Sequence, residues 1–235
     1  MPKPNFQLYY WPIPFRGCFI SYLFAYRGVP LLIETSLPGK ENNEDPQSRE
    51  QYIPYMGPPV LRELETNRTL SQMPAIVLYV SRELKLTPDD PFDVATCTKV
   101  LMDCNDLLME ICRFNGSIMW ERNEWQNFRA LRFVQWMEIF EESLRREFIG
   151  RKLVSFADIG VFALFGNMTR CLPELKADLR NHAPGIYDLC QKIGSEPSLA
   201  SFVADEELKY GKTYCGGQIE QSIRKMLEMD AVDAG

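Results

Sequence analysis

The chain has 235 residues, of which 46% are apolar and 25% are charged, and it carries a net charge of −6. Its length allows one large domain or two of ordinary size around a sizeable core. An acidic chain lacks the basic surface that neutralises phosphates, so we expect no nucleic-acid partner. The N-terminus has no apolar signal core, and no stretch approaches the roughly 20 apolar residues that cross a bilayer. We therefore expect a cytoplasmic protein without a membrane partner.

The cysteine and histidine content narrows the chemistry further. Seven cysteines are scattered without a Cys-x-x-Cys pair, which is typical of reduced thiols and predicts no disulfide framework. His182 is the only histidine, which excludes a multi-histidine metal site and leaves little room for Ser-His or Cys-His catalysis. We expect no metal in this protein.

The first third of the chain alternates strand and helix patterns. Phe6, Leu8 and Tyr10 alternate with period two and predict a strand, and the apolar stretch 15–26 predicts a helix that ends at Gly28.

Further elements complete this unit. Two more strand segments, a polar stretch and a closing helix follow, in the order β-α-β, irregular segment, β-β-α. Their residues are 30–34, the hairpin 60–64 with 68–70, and the helix from about 74 to 85. This order is typical of a thioredoxin-like domain, and the turn-rich segment 87–91 predicts a boundary after it.

Beyond the boundary the pattern is helical almost throughout. Long helices are predicted at 92–113 and 121–148, and strand patterns disappear. Ser155 and Asp158 have the spacing of a capping box, in which each side chain accepts a hydrogen bond from the other residue's backbone N–H. The sequence therefore predicts a second, all-helical domain.

Several segments together resemble the glutathione transferases, and the resemblance covers nearly the whole chain. Residues 8–17 and 20–29 resemble the first strand and helix of sigma-like, tyrosine-type members. Residues 58–61 resemble the segment that holds the family's cis-proline, and 71–76 resemble the helix start beneath the glutamyl group of glutathione. Residues 155–158 resemble the family's folding box.

This resemblance implies an α/β thioredoxin-like domain at residues 1–86 and an all-α domain at residues 92–235. It also implies a homodimer that uses reduced glutathione as co-substrate and conjugates it to a small apolar electrophile in detoxification. A cis bond between Pro58 and Pro59 is a further expectation.

The candidate catalytic residue is Tyr10, supported by Arg16. Conjugation needs the glutathione sulfur as thiolate, and a tyrosine hydroxyl at the end of the first strand can stabilise that charge. Where serine-type and cysteine-type members carry their activating residue, this chain has Pro12 and Pro14. From residue type alone, Tyr9 and Tyr10 read as ordinary strand aromatics.

The resemblance also implies a glutathione site, with departures from the family pattern. Pro58 and Pro59 occupy the backbone-pairing segment, but Pro58 has no N–H to donate. Gln72 and Met73 stand at the helix start, where Met73 replaces the usual hydroxyl residue. Its backbone N–H can still meet a carboxylate there.

Other polar and aromatic residues complete the expected site. Asp106 lies where a carboxylate reaches the glutamyl ammonium across the dimer interface, although a solvated helix aspartate fits the sequence equally well. Lys40 or Arg49 would compensate for missing glutathione contacts, or simply be solvated. The expected walls of the electrophile pocket are Arg113, Phe114, Trp120, Tyr210 and Tyr214.

Two other functions stay open at this stage. Pro58 lacks the backbone N–H, and Met73 lacks the side-chain hydroxyl, that would contact glutathione. These missing contacts favour a non-catalytic binding or interaction protein on the same fold. A lower-ranked alternative is a glutathione-dependent reductase or peroxidase that uses Cys18, which has no resolving cysteine nearby in sequence.

Overall fold

The computed structural model describes residues 3–36 and 55–233, so Lys40 and Arg49 lie outside the described residues. Its strands form one mixed sheet in the order β2-β1-β3-β4. The strands are β1 (Phe6–Tyr9), β2 (Leu32–Glu34), β3 (Val60–Glu63) and β4 (Thr69–Ser71). Strand β1 is parallel to β2 and antiparallel to β3, and β4 is antiparallel to β3.

Two helices accompany the sheet: α1 (Cys18–Tyr26) and α2 (Met73–Glu83). Helix α1 makes the crossover between the parallel strands β1 and β2, and all of its residues except the last are buried. It is covered on several sides because it also contacts helices of the C-terminal half. This explains why its sequence is apolar throughout instead of showing one apolar stripe.

The rest of the described chain is helical. Its α-helices are α3 (Pro91–Ile111), α4 (Arg113–Gly116), α5 (Arg122–Asn127), α6 (Phe133–Arg145), α7 (Phe156–Val161), α8 (Asn167–Cys171), α9 (Lys176–His182), α10 (Pro184–Gly194), α11 (Pro197–Tyr210) and α12 (Gly217–Asp233). A π-helical turn, Phe128–Arg132, joins α5 to α6, and a second, Phe162–Gly166, joins α7 to α8. A 3-10 turn, Pro173–Leu175, precedes α9.

This architecture confirms the predicted fold class, a small mixed sheet with helices followed by a helical region. The long helix predicted at 92–113 is α3, and the one predicted at 121–148 is divided into α5, a π-helical turn and α6. Asp90 caps α3 by accepting from the N–H groups of Phe92 and Asp93, and α3 ends at Ile111 because the next residues turn left-handed. The domain boundary at residues 87–91 stays a prediction.

The capping box is confirmed at the start of α7. The Ser155 hydroxyl accepts from the Asp158 N–H at 3.4 Å, and the Asp158 carboxylate accepts from the Ser155 N–H at 2.7 Å. The same carboxylate accepts from Gly150 N–H at 2.5 Å, so it also fixes the preceding loop. Among residues 3–36 and 55–233, no helix has the length and apolar character needed to cross a membrane.

Candidate functional site

A cleft of about 360 Å³ opens beside the end of β1. One wall comes from the N-terminal elements and includes six residues singled out from the sequence. These are Tyr10, Arg16, Pro58, Pro59, Gln72 and Met73. The opposite wall comes from α3, α4 and the start of α12. It is formed by Asn105, Cys112, Asn115, Cys215 and Ile219.

Tyr10 directly follows β1 and is 2% exposed. Its backbone N–H donates to the Glu34 carbonyl at 3.0 Å, which keeps the chain beside β2 after the strand ends. Its ring packs on Gly17 at the start of α1, where an added Cβ would lie 2.4 Å from the ring carbon Cδ1. Glycine is therefore what lets the helix approach the ring this closely.

The Tyr10 hydroxyl oxygen accepts a hydrogen bond from the Arg16 backbone N–H at 2.8 Å. Because the oxygen is the acceptor there, its own hydrogen can donate to a group in the cleft. Burial raises the pKa of Tyr10 well above its usual value, and the Arg16 N–H and the Arg16 charge only partly offset this. The phenol is therefore a neutral donor at physiological pH.

The Arg16 guanidinium makes no hydrogen bond to the Tyr10 hydroxyl. Its Nη2 donates to the Met109 sulfur at 3.0 Å, and the group lies 5.1 Å from the centre of the Phe15 ring. The direct contact with Tyr10 is thus made by the Arg16 backbone, while the side chain acts on the phenol through its charge. A substitution at Arg16 would leave the backbone contact in place.

The Pro58-Pro59 peptide bond is cis, as predicted. Both prolines are buried and line the cleft immediately before β3, whose first residue, Val60, pairs with Tyr9 of β1. The strand pairing therefore holds the Pro58 backbone beside Tyr10.

The start of α2 contributes Gln72 and Met73. Gln72 has φ 72° and ψ 115°, a conformation that non-glycine residues rarely adopt. Such strain costs about 1–3 kcal/mol and is frequent at ligand sites. Met73 is 1% exposed and begins the helix, so the positive end of the α2 dipole lies at the cleft.

Helix α4 is a left-handed turn. Arg113, Phe114, Asn115 and Gly116 have φ values of 47°, 55°, 59° and 78°. For L-residues this conformation costs roughly 1–2 kcal/mol each. The turn places Asn115 in the cleft, whereas Arg113 and Phe114 line a separate apolar groove of about 550 Å³ together with Trp120.

The other residues singled out from the sequence do not line the cleft. Arg113 pairs with Glu124 at 3.0 Å and lies over the Trp120 ring at 4.6 Å. Tyr214 is 1% exposed and packs edge-on against Phe15, 5.4 Å between ring centres, so it lies behind the cleft wall.

Two further residues also lie outside the cleft. Tyr210 is half-buried at the end of α11. Asp106 is exposed on α3, while its neighbour Asn105 faces the cleft.

Three cysteines lie close to the site. Cys18 is 1% exposed, donates to the Phe15 carbonyl at 2.8 Å, and does not line the cleft. Cys112 and Cys215 do line it, and no sequence motif marked them. Burial raises the pKa of all three thiols, so each is neutral at physiological pH.

Glu220 fixes the segment that carries Cys215. Its Oε2 accepts from the backbone N–H groups of Tyr214, Cys215 and Gly216 at 3.0, 3.0 and 2.6 Å. This carboxylate therefore sets how the start of α12 covers the cleft. Sequence reasoning missed this contact although it spans only four to six residues, because it depends on the backbone turn at Gly216 and Gly217, whose φ values are positive.

The described ranges, 3–36 and 55–233, contain no group of three or more His, Cys, Asp or Glu side chains arranged to hold a metal ion.

Comparisons with known proteins point to one family. The family model described as "Glutathione S-transferase, C-terminal domain" matches residues 96–226. A search of curated protein sequences found no match.

Three solved structures illustrate the likeness of fold. The Pi-class glutathione S-transferase of Onchocerca volvulus is 14% identical with a TM-score of 0.71, covering 91% of this chain and 98% of its own. A glutathione S-transferase of Caenorhabditis elegans is 22% identical with a TM-score of 0.68. The match covers 87% of this chain and 99% of the other. Prostaglandin synthase D of Nilaparvata lugens is 17% identical with a TM-score of 0.67. That match covers 86% of this chain and 99% of the other. At these identities the structures show a shared fold.

Proposed function

Because this chain belongs to the glutathione S-transferase family, we propose that it conjugates reduced glutathione to a small apolar electrophile and uses Tyr10 to stabilise the thiolate. This assigns it to the sigma-like, tyrosine-type members. The observation that carries the proposal is the Tyr10 hydroxyl, a buried neutral donor in the cleft whose oxygen accepts from the Arg16 N–H. Conjugation of this kind makes an apolar toxin more polar, which is a detoxification reaction.

One hydrogen bond from the Tyr10 phenol can supply most of the free energy needed to stabilise the glutathione thiolate. Lowering a thiol pKa from about 8.5 to about 6.5 requires roughly 2.7 kcal/mol. A hydrogen bond to a charged group contributes about 1.5–3 kcal/mol. The Arg16 N–H polarises the phenol and strengthens its donation, because linked hydrogen bonds reinforce one another in a low-dielectric site.

Glutathione would lie along the N-terminal wall. The Pro58 carbonyl can accept from the tripeptide backbone, with Pro59 fixing the segment. The glutamyl carboxylate would meet the α2 N-terminus at Gln72 and Met73, where unpaired N–H groups and the helix dipole favour an anion. In a homodimer, the exposed Asp106 would reach the glutamyl ammonium bound by the partner subunit.

The electrophile would occupy the opposite side of the cleft. Ile219 and the neutral Cys112 and Cys215 thiols give an apolar surface there, and Phe15 of the N-terminal wall adds to it.

The remaining expected wall residues would act at the margin of this surface. A substrate that extends across the α4 turn would also contact Arg113, Phe114 and Trp120 in the neighbouring groove. Tyr214 would act through Phe15.

A direct test combines binding and turnover. The parent protein should be retained on immobilised glutathione and should conjugate glutathione to 1-chloro-2,4-dinitrobenzene. The ultraviolet absorbance of bound thiolate should appear at a pH below that of free glutathione. Retention without turnover or a thiolate signal would instead favour a non-catalytic binding protein, a reading supported by the missing Pro58 N–H and the apolar Met73 side chain.

The thiol-based alternative is tested by Cys18→Ala. Cys18 is buried with a raised pKa, which weighs against a reactive thiol. Conjugation should stay within about twofold of the parent, because the residue does not line the cleft. A folded Cys18→Ala protein that loses its activity would favour the reductase or peroxidase reading.

A further inference from the structure

Asn167 is a buried polar residue that does not line the cleft. It is 2% exposed and begins α8, directly after the π-helical turn Phe162–Gly166, which contacts α1. A π-helical turn adds a residue to the helix and is frequent at functional sites. Burial of a side-chain amide is costly unless hydrogen bonds satisfy it, so the contacts of Asn167 need an explanation.

Both ends of the Asn167 amide have partners. Its Oδ1 accepts from Arg170 Nη2 at 2.8 Å and from the Cys171 thiol at 3.5 Å. These two donors fix the orientation of the amide, because only the oxygen can accept. The Nδ2 group therefore faces the Pro14 carbonyl, to which it donates at 3.5 Å. This bond is long, but across the described residues it is the one hydrogen bond that Nδ2 makes.

Pro14 belongs to the loop that places the Arg16 N–H. The loop joins β1 to α1, and Arg16 donates its backbone N–H to the Tyr10 hydroxyl at 2.8 Å. Pro12 and Pro14 have no N–H, so the loop has few backbone donors with which to hold itself. A shift of the Pro14 carbonyl would therefore move the Arg16 N–H, two residues later, away from the phenol.

The helical region contacts this loop through two hydrogen bonds of different kinds. The Met109 sulfur accepts from the Arg16 side chain at 3.0 Å, whereas Asn167 donates to the main chain at Pro14. Within the part of the chain that the structure describes, the Asn167 bond is the one from the helical region to the main chain of residues 11–17. It therefore bears on the backbone that carries the Arg16 N–H.

We propose that Asn167 is a positioning residue for conjugation, which holds the Pro14 carbonyl so that the Arg16 N–H stays on the Tyr10 hydroxyl. This inference rests on the proposed role of Tyr10. Asn167 lies outside the cleft, so it contacts neither glutathione nor the electrophile. Its effect reaches the thiolate through the polarised phenol, because linked hydrogen bonds reinforce one another.

Hydrogen exchange at the Arg16 amide, measured by NMR on protein with isotope-labelled arginine, tests the contact without glutathione. In Asn167→Leu this exchange should be at least about tenfold faster than in the parent, because the loop opens more often. It should approach the rate in Tyr10→Phe, which lacks the acceptor.

Asn167→Asp should give the same result, because it loses the donor to Pro14 and keeps an oxygen for Arg170. If Asn167→Leu does not fold, Asn167→Asp decides alone. Parental exchange at Arg16 in the folded variants would overturn the proposal.

The pH at which bound thiolate forms gives a second measurement. It should rise by about half a unit in both Asn167 variants, since the loss of a linked bond weakens a hydrogen bond by roughly 10–30%. In the double variant Tyr10→Phe with Asn167→Leu, the pH should rise no further than in Tyr10→Phe alone, because the phenol through which Asn167 acts is gone. Additive shifts would show that Asn167 acts on the fold and not through Tyr10, and would overturn the proposal.

Met168→Val and Asn181→Leu are the controls. Met168 is buried on α8, so Met168→Val should lower the thermal midpoint while Arg16 exchange and the thiolate pH stay parental. Asn181 is exposed on α9, and its variant should change none of these quantities. Faster Arg16 exchange in Met168→Val would show that any loosening of α8 frees the loop, which would overturn the specific role of Asn167.

The two measurements separate this inference from the proposed function. If Tyr10→Phe keeps the parental activity and thiolate pH, Tyr10 does not stabilise the thiolate and the proposed function fails. Exchange at Arg16 still decides whether Asn167 holds the loop, because it is measured without glutathione. If Tyr10→Phe raises the thiolate pH and the Asn167 variants do not, the positioning role alone is wrong.

Discussion

The two walls of the cleft are built in different ways. The N-terminal wall uses short segments whose residues are near neighbours in sequence, such as Tyr10 with Arg16 and Gln72 with Met73. The opposite wall joins Asn105 and Cys215, which are brought together only because α3 and α12 both pack against α4. Local motifs thus supply the surface proposed to activate the thiol, and long-range packing supplies the surface proposed to choose the electrophile.

The largest effect is expected from Tyr10→Phe, which removes one hydroxyl from the N-terminal wall and keeps the ring. Conjugation at neutral pH should fall by about one to two orders of magnitude, matching a lost hydrogen bond of roughly 1.5–3 kcal/mol. The pH at which bound thiolate forms should rise by about one to two units. Glutathione affinity should change much less.

Tyr9→Phe is the matched control. The Tyr9 hydroxyl donates to Gln7 at 3.0 Å and does not line the cleft, so this variant should keep parental rates. A fully active Tyr10→Phe protein would remove Tyr10 from the mechanism.

Gly17→Ala tests whether the close approach of α1 to the Tyr10 ring is needed. The new Cβ would lie 2.4 Å from Cδ1, and overpacking of this kind costs about 1–3 kcal/mol of unfolding free energy. The displaced ring should also lower the conjugation rate. Chemical denaturation measures the first effect, with Gly57→Ala as control because its Cβ meets nothing within 4 Å. Equal stability of both variants would show that the ring moves without cost.

Glu220→Ala tests the opposite wall. It leaves three backbone N–H groups at 214–216 without their acceptor, with a cost of about 1–3 kcal/mol. The KM for the electrophile should rise while the KM for glutathione stays close to parental, because the N-terminal wall is untouched. Glu228→Ala, at an exposed position of α12, is the control. A rise in the KM for glutathione alone would contradict the division between the walls.

The smallest effects are expected from the capping box, which serves neither wall. Ser155→Ala and Asp158→Ala should each lower the free energy of unfolding by about 0.5–2 kcal/mol. Glutathione retention should be unchanged once the variants are folded. Ser201→Ala, exposed on α11, should leave stability unchanged. Unchanged thermal midpoints in both box variants would show that the box does not stabilise the fold.

Sequence reasoning anticipated features that depend on a few neighbouring residues. The order of the strands and helices of the first third and the capping box follow from short patterns, and the cis bond between Pro58 and Pro59 from the family resemblance. The structure has all three. The residues expected to line the electrophile pocket were predicted less well. Arg113, Phe114 and Trp120 lie in a neighbouring groove because α4 turns left-handed, a conformation that their residue types do not indicate.

By itself, the sequence determined the order of elements and the fold class, because hydrophobic period, caps and turn residues act within a few positions of the chain. The choice of Tyr10 among the aromatic residues came from the resemblance of its segment to a known family and not from a local pattern. Only the tertiary structure decided that Cys112, Asn115 and Cys215 share a cleft with it. The physical reason is that burial and hydrogen-bond partners depend on residues 100 or more positions apart, which no local pattern encodes.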